Sequence, residues 1–354
     1  MNLKPIFWSL LLALQFVACN RNSGETAATF TLDSFERIAV PDAAGTVYRN
    51  DSLFLGNPQI IRYHPDGYLV LLDRTDAGLV TVVDLKTNRV QYLIRRGRGP
   101  GEIMIVRDLT VRDGDIWISG LAEQKILKLT RPDGNREFEP QEVCTVAEQF
   151  MRAVPVVNGR FLTLAPASSQ TRFHLLDSQG TPCDTVGSFP ALGQLADATP
   201  NNAIFQSEIT VSPDGEHIAA VCQSLEFIDI YDADMTLRRR LQGPQGIDPT
   251  VKSATTDMGV YLYLDPMYFI FSGAVSNDRQ FMVGYIGVCV QSESDFGEQI
   301  GSVLSFDWKG RPQKAYEFES DIVSFDMDWK NNVMYCLANL PEPEIVIYRL
   351  DDLK

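Results

Sequence analysis

Histidine is scarce in this 354-residue chain: His64, His174 and His217 are all it has, and they stand far apart. There is no HExxH pair, no Gly-x-Ser-x-Gly turn and no Gly-Lys-Ser/Thr phosphate loop. Those absences remove the local signatures of zinc proteases, α/β-hydrolases and P-loop nucleotide enzymes. A Ser/His/Asp triad needs no closeness in sequence, and nothing in the spacing points to one. Cysteines number six, none with CxxC spacing, so neither a redox dithiol nor a zinc knuckle is indicated. Basic residues are also short, 31 Lys and Arg against 46 Asp and Glu, for a net charge of −15. An acidic chain is repelled by phosphate backbones, so nucleic acid is not an expected partner. No apolar run reaches the roughly twenty residues of a membrane-spanning helix.

What is present begins with a leader. Met1 to Lys4 is short and positive, and Ile6 to Val17 is apolar, with the length of a signal-peptide core. It ends in Phe16-Val17-Ala18-Cys19, small residues before a cysteine, as in a bacterial lipobox. Residues 1–18 are therefore expected to be a lipoprotein signal peptide, with Cys19 lipidated and 19–28 a polar tether. Of the other five cysteines, Cys222, Cys289 and Cys336 lie in apolar strand-like runs, where a thiol acts as a small hydrophobe. Cys144 and Cys183 lie in more polar segments and could pair, though nothing requires it.

Helical periodicity is nearly absent after the leader. Short β-branched and aromatic runs alternate instead with Asp-Gly, Asn-Gly and similar turn pairs. The clearest unit has Ile60–Tyr63, the turn His64–Gly67, Tyr68–Asp73, Leu79–Leu85 and Val90–Arg95. Equivalent first turns fall at residues 66, 113, 158, 214, 278 and 331, spaced by 47, 45, 56, 64 and 53. Four short strands per repeat at such a period are the mark of propeller blades. The sixth repeat stops one strand short, and Thr29–Ile38 precedes the first with no blade of its own. We therefore expect an all-β, six-bladed propeller of four-stranded antiparallel blades over residues 29–354, its ring closed by that N-terminal strand. Asp84, Asp177, Asp232 and Asp307, each ending a third strand, are expected to bond their own following turns.

This pattern resembles the six-bladed TolB-like propeller lipoproteins of Gram-negative bacteria, related to proteins with NHL repeats. The resemblance rests on Cys19, on the Gly97-Arg98-Gly99-Pro100-Gly101-Glu102 stretch, and on the turns Tyr63–Gly67 and Val211–Gly215. It implies a lipid anchor at the outer membrane, facing the periplasm or the outside, and a fold that carries many functions.

The candidate sites follow. Arg95, Arg96 and Arg98 around the glycine-rich stretch could face an anion, although a weaker echo at Arg238–Gly246 favours a structural connection. Tyr261, Tyr263 and Tyr268 could wall a channel mouth, or belong to ordinary strands of the fifth blade. His64 and His217 flank first turns and are expected at the solvent; His174 is expected to be a packed strand residue. No catalytic residues and no cofactor are assigned. The leading reading is a binding module for a protein, peptide or glycan. The alternative is a lactonase-like hydrolase or a lyase using a divalent cation such as calcium. Asp73, Glu123 and Asp265, with Asn57 and Asn339, would be its candidate oxygens.

Overall fold

The computed structural model describes residues 27–132, 137–166, 169–189, 204–247, 250–256, 259–290, 299–339 and 342–353. The expected signal peptide and Cys19 lie outside them. The protein is an all-β propeller. Its first sheet is antiparallel, Pro58–His64, Tyr68–Asp73, Val80–Asp84 and Val90–Leu93 in chain order. The second repeats the order with Val106–Arg112, Asp115–Gly120, Lys125–Thr130 and Glu139–Thr145. The third is Ala153–Pro155, Phe161–Leu164, Phe173–Leu176 and Pro182–Val186. The fourth is Ser207–Val211, His217–Cys222, Phe227–Asp232 and Leu237–Gln242.

The next strands form one continuous sheet. Met267–Ser276, Gln280–Val290 and Ile300–Asp307 lead into the long strand Pro312–Asp328, followed by Val333–Asn339 and Pro343–Arg349. The first part of the long strand pairs with Ile300–Asp307, and its part from Ile322 to Asp328 pairs with Val333–Asn339. It thus ends one four-stranded run and begins the next.

Packing between sheets explains the apolar strand sequences. A sheet covered on both faces reads as a nearly continuous hydrophobic run, and Leu69 to Asp73 are all buried. Val70, Leu72, Val80 and Val82 of the first sheet meet Leu109, Ile116 and Ile118 of the second. Ile126 and Cys144 of the second meet Phe161 and Leu176 of the third, and Leu162 and Phe173 meet Ile209 and Ile218 of the fourth. The last strands return to the first sheet, where Val333, Tyr335 and Ile345 pack on Ile61, Leu69 and Leu71.

Turn chemistry follows the expectation. Asp84 Oδ1 accepts the Lys86 N–H at 2.8 Å, and Asp177 Oδ1 accepts those of Gln179 and Thr181 at 2.9 Å each. Asp232 and Asp307 do the same for Thr236 and Arg311, each at 2.9 Å.

The N-terminal segment differs from the expectation. Thr29–Ile38 does not add to the last strand. Ala27–Thr29 runs parallel to Leu237–Gln242, and Glu36–Val40 runs parallel to Pro312–Asp328. The cause is aromatic. Phe30 and Phe35 are buried edge-on against Phe306, with ring centroids 5.1 and 5.2 Å away, and this anchors the segment across two neighbouring units. The two-residue strand Thr46–Val47 is what pairs with Pro343–Arg349, through Ile347 and Val346. The stretch Gly243–Pro266 also departs from the blade pattern. It forms a separate hairpin, Thr250–Thr256 with Gly259–Asp265, and the inner strand starts only at Met267.

Candidate functional site

The first strand of each four-stranded run faces a central cavity of about 640 Å³. These strands carry charged residues that line it: Arg62, Asp108, Glu208 and Asp326, joined by Arg152 just before Ala153–Pro155. All five are buried in the protein yet line the cavity. Buried charges persist only when paired or hydrogen-bonded, and most of this set is. Arg152 grips Glu208 with two nitrogens, Nη2 to Oε1 at 2.7 Å and Nη1 to Oε2, and its Nε lies 3.6 Å from Asp108 Oδ2. Gln223 Nε2 adds a bond to Glu208 Oε1 at 3.0 Å. Asp108 also accepts the Leu109 N–H at 2.9 Å. Asp326 accepts the N–H groups of Tyr63 and Met327, at 2.8 and 2.7 Å.

These partners set the protonation. Burial pushes Glu208 up, but Arg152 beside it, with Arg62 and Arg107 farther off, leaves its carboxyl below the ordinary value. Asp326 goes the other way. Burial raises it, and the Arg62 charge and two amide donors offset only part of that.

Arg62 stands apart. Its Nη1 donates to the Ile61 carbonyl at 2.9 Å, and it makes no ion pair and no other hydrogen bond among the described residues. Its side chain lines the cavity. At the mouth, Lys86 and Lys330 likewise have no ion-pair partner among the described residues. The cations and anions around them are engaged. Arg112 Nη1 donates to the Ser212 carbonyl at 2.9 Å and its Nε lies 3.5 Å from Asp113, while Asp66 pairs with Arg131. Apolar wall comes from Val154, Ile209, Val211 and Val275.

None of the six residues singled out from sequence lines this cavity. Arg95, Arg96 and Arg98 are exposed on the connection between the first and second sheets. The adjoining glycine turn is closed from within. Glu102 Oε2 accepts the Gly99 N–H at 2.9 Å, and a Cβ on Gly97 would lie 2.0 Å from that oxygen. Tyr263 is exposed on the extra hairpin, and Tyr268 packs against the core between the fourth sheet and the next. The side chain of Tyr261 lies outside the described residues.

The candidate cation oxygens are scattered. Asp73 accepts the Gly56 and Asn57 N–H groups, at 3.1 and 2.7 Å, Glu123 accepts that of Met104 at 3.1 Å, and Asp265 pairs with Lys252. Among the described residues Asn57 gives only that N–H, and Asn339 lines a separate pocket with Glu319 and Asp321. Among the described residues, no three His, Cys, Asp or Glu side chains come together as metal ligands.

Two expectations need correction. His64 does not face solvent. It is 1% exposed, with Nε2 2.8 Å from the Gly114 carbonyl and Nδ1 3.2 Å from the Asp66 N–H, because its turn packs against the neighbouring one. His217 is half-buried and stacks on Trp308. The sequence leaves the pairing of Cys144 and Cys183 open; in the structure all five described cysteines are free thiols.

The cavity residues left a signal that the sequence reading passed over. Arg62 and Asp326 stand among apolar neighbours, as in Ile60-Ile61-Arg62-Tyr63 and Phe325-Asp326-Met327, and Asp108 and Glu208 are charges on the first strands Val106–Arg112 and Ser207–Val211. A charge recurring at the innermost strand of successive repeats marks a lined channel.

Comparison with known proteins agrees with this architecture. The TolB-like 6-blade propeller-like family matches residues 42–330. Among solved structures, an exported protein of Bacteroides fragilis superposes with a TM-score of 0.52 at 13% identity, covering 91% of this chain and 99% of its own. Virginiamycin B lyase from Staphylococcus aureus gives 0.50 at 10% identity, over 86% of this chain and 98% of its own. At such identities the likeness concerns fold alone. No curated protein matches the chain in sequence.

Proposed function

Because the chain belongs to the TolB-like 6-blade propeller-like family, we propose that it is a six-bladed propeller that binds an acidic peptide segment of a partner protein in its central cavity. In this reading the long strand Pro312–Asp328 serves two blades, and Thr46–Val47 supplies the outer strand of the last. The leader and Cys19 support export and lipid anchoring at the cell envelope, the outer membrane being the expected site. No helix among the described residues is long and apolar enough to cross a membrane.

The observation that carries the binding role is the imbalance of free charge. The buried cavity carboxylates are occupied by amides or by Arg152. At the mouth Asp66 pairs with Arg131, Asp113 with Arg112, and Asp328 accepts from the Lys330 N–H and Asn331, whereas the side chains of Arg62, Lys86 and Lys330 have no ion-pair partner among the described residues. A carboxylate entering the cavity meets a guanidinium that is already desolvated and held in place, so little ordering cost remains. The engaged state of the carboxylates favours binding over cation-dependent hydrolysis.

The test is titration calorimetry of the purified chain with arrays of acidic, neutral and basic peptides, and with oligosaccharides of uronic acids. Acidic peptides should bind best. Arg62→Gln should weaken them about 10- to 100-fold, the worth of a charge-assisted bond of about 1.5–3 kcal/mol. Equal binding of acidic and basic peptides, or an Arg62→Gln variant with unchanged affinity, would refute the proposal. Selective binding of the uronic acids would move the ligand to glycans.

A further inference from the structure

Away from the cavity, three side chains meet beside the third sheet. His174, in strand Phe173–Leu176, has Nδ1 3.1 Å from Glu148 Oε2 and Nε2 3.2 Å from Ser169 Oγ. A carboxylate only accepts hydrogen bonds. Nδ1 therefore carries the proton towards Glu148, and the Nε2 lone pair is turned to the serine hydroxyl. The Thr163 hydroxyl donates to the His174 carbonyl at 3.1 Å, tying the histidine backbone to the neighbouring strand.

Ser169 sits in the connection between Phe161–Leu164 and Phe173–Leu176. Its N–H donates to the Pro166 carbonyl at 2.9 Å, and its Oγ accepts the Thr171 N–H at 3.1 Å. The Thr171 hydroxyl, 3.2 Å from Ser169 Oγ, can itself donate to the Phe173 carbonyl at 3.5 Å. With that arrangement the serine proton is free to go to His174. Gln170, next in the chain, is exposed, and its N–H has no acceptor among the described residues. Ser169 and His174 are half-buried and Glu148 is exposed, so the group is reachable from solvent.

A nucleophile within reach of a base that is oriented by a third group is the geometric signature of acyl transfer, recognised by roles and not by sequence order. We propose that Ser169, His174 and Glu148 hydrolyse small, solvent-accessible acyl esters. Ser169 Oγ attacks the ester carbonyl carbon while its proton passes to His174 Nε2. The Gln170 N–H donates to the oxyanion, the place taken in serine hydrolases by the residue after the nucleophile. The bond to the alkoxy oxygen then breaks, and the leaving alcohol takes the proton from His174. Water attacks the acyl-serine in the same way. His174 accepts its proton and returns it to Ser169 Oγ as the carboxylic acid departs. Glu148 is a positioning residue, holding the imidazole tautomer.

The experiment is labelling of the purified full chain with a tagged fluorophosphonate, followed by peptide mapping and by the burst of p-nitrophenol from p-nitrophenyl acetate. One adduct on Ser169 and a burst of one equivalent are expected. Ser169→Ala should abolish both. His174→Gln should slow labelling at least 100-fold and flatten its pH dependence, as removal of a general base does. Glu148→Gln should slow it about tenfold, with partial recovery in Glu148→Asp. If Ser169→Ala does not fold, Ser169→Cys replaces it, and the iodoacetamide reactivity of the new thiol should fall when His174→Gln is added. Adducts spread over other serines, no adduct at doses that saturate a control serine hydrolase, or equal labelling of the His174→Gln variant would overturn the proposal.

Discussion

Replacing Arg152 by methionine should be far more damaging than neutralising its partner, and the cavity wall says by how much. The side chains of Arg152, Glu208 and Asp108 are 6%, 9% and 3% exposed. Removing one member of a buried pair leaves an uncompensated charge and costs about 3–5 kcal/mol. Arg152 serves two carboxylates, so Arg152→Met strands both Glu208 and Asp108 near one another and belongs at the top of that range. Glu208→Gln leaves Arg152 its Asp108 contact at 3.6 Å and should cost about 2–3 kcal/mol. The two changes share a partner, so the double variant should fall short of the sum by about 1–3 kcal/mol. Equilibrium urea unfolding of the four proteins measures this directly.

Acidification adds a check on sign. The folded Glu208 carboxyl lies below its ordinary value, so its contribution is fully present above the ordinary glutamate range and is lost as pH falls through the depressed value. The gap between the natural protein and Glu208→Gln should therefore close on acidification. An Arg152→Met cost below about 1 kcal/mol, or strict additivity, would refute the reasoning.

Three further outcomes follow from the same geometry. Phe306→Ala removes the ring shared by Phe30, Phe35 and Phe281 and should lower stability by about 3–5 kcal/mol in the same unfolding assay. Gly97→Ala should displace the Glu102 carboxylate from its turn and cost about 1–2 kcal/mol, read as a lower thermal midpoint. In thiol titration with a disulfide reagent, exposed Cys183 should react first and Cys289 next. Cys144 and Cys222, whose thiols burial pushes up to about 11, should wait for denaturant, as should buried Cys336. A native protein whose Cys183 is unreactive until reduced would show instead that it pairs with Cys144.

Much of the scaffold was legible because its signals are local. An aspartate ending a third strand needs only the next two to four residues to form its turn, and Asp84, Asp177, Asp232 and Asp307 all do. Strand runs such as Tyr68–Asp73 were equally clear, since burial on both faces writes itself into consecutive residues. The placement of Thr29–Ile38 was not legible. Its pairing depends on where Phe306 lies, far along the chain, and parallel edge pairing leaves no periodic mark. The cavity charges were visible one by one, but their partnership was not: Arg152 and Glu208 belong to different repeats and meet only when the sheets are arranged in space. The same holds for Glu148, Ser169 and His174, whose spacing fits no motif.

The pairing of Thr46–Val47 with Val346 and Ile347, beside the packing of Val333, Tyr335 and Ile345 on the first sheet, has a consequence for biogenesis. The earliest sheet to be synthesised keeps one apolar side bare until the final strands arrive. Contacts so distant in sequence make for slow completion, and the incomplete chain presents sticky surface in the meantime. Completion of the packing therefore waits for nearly the whole length of the chain. Loss of the last few strands by a premature stop would damage the beginning of the molecule as much as its end.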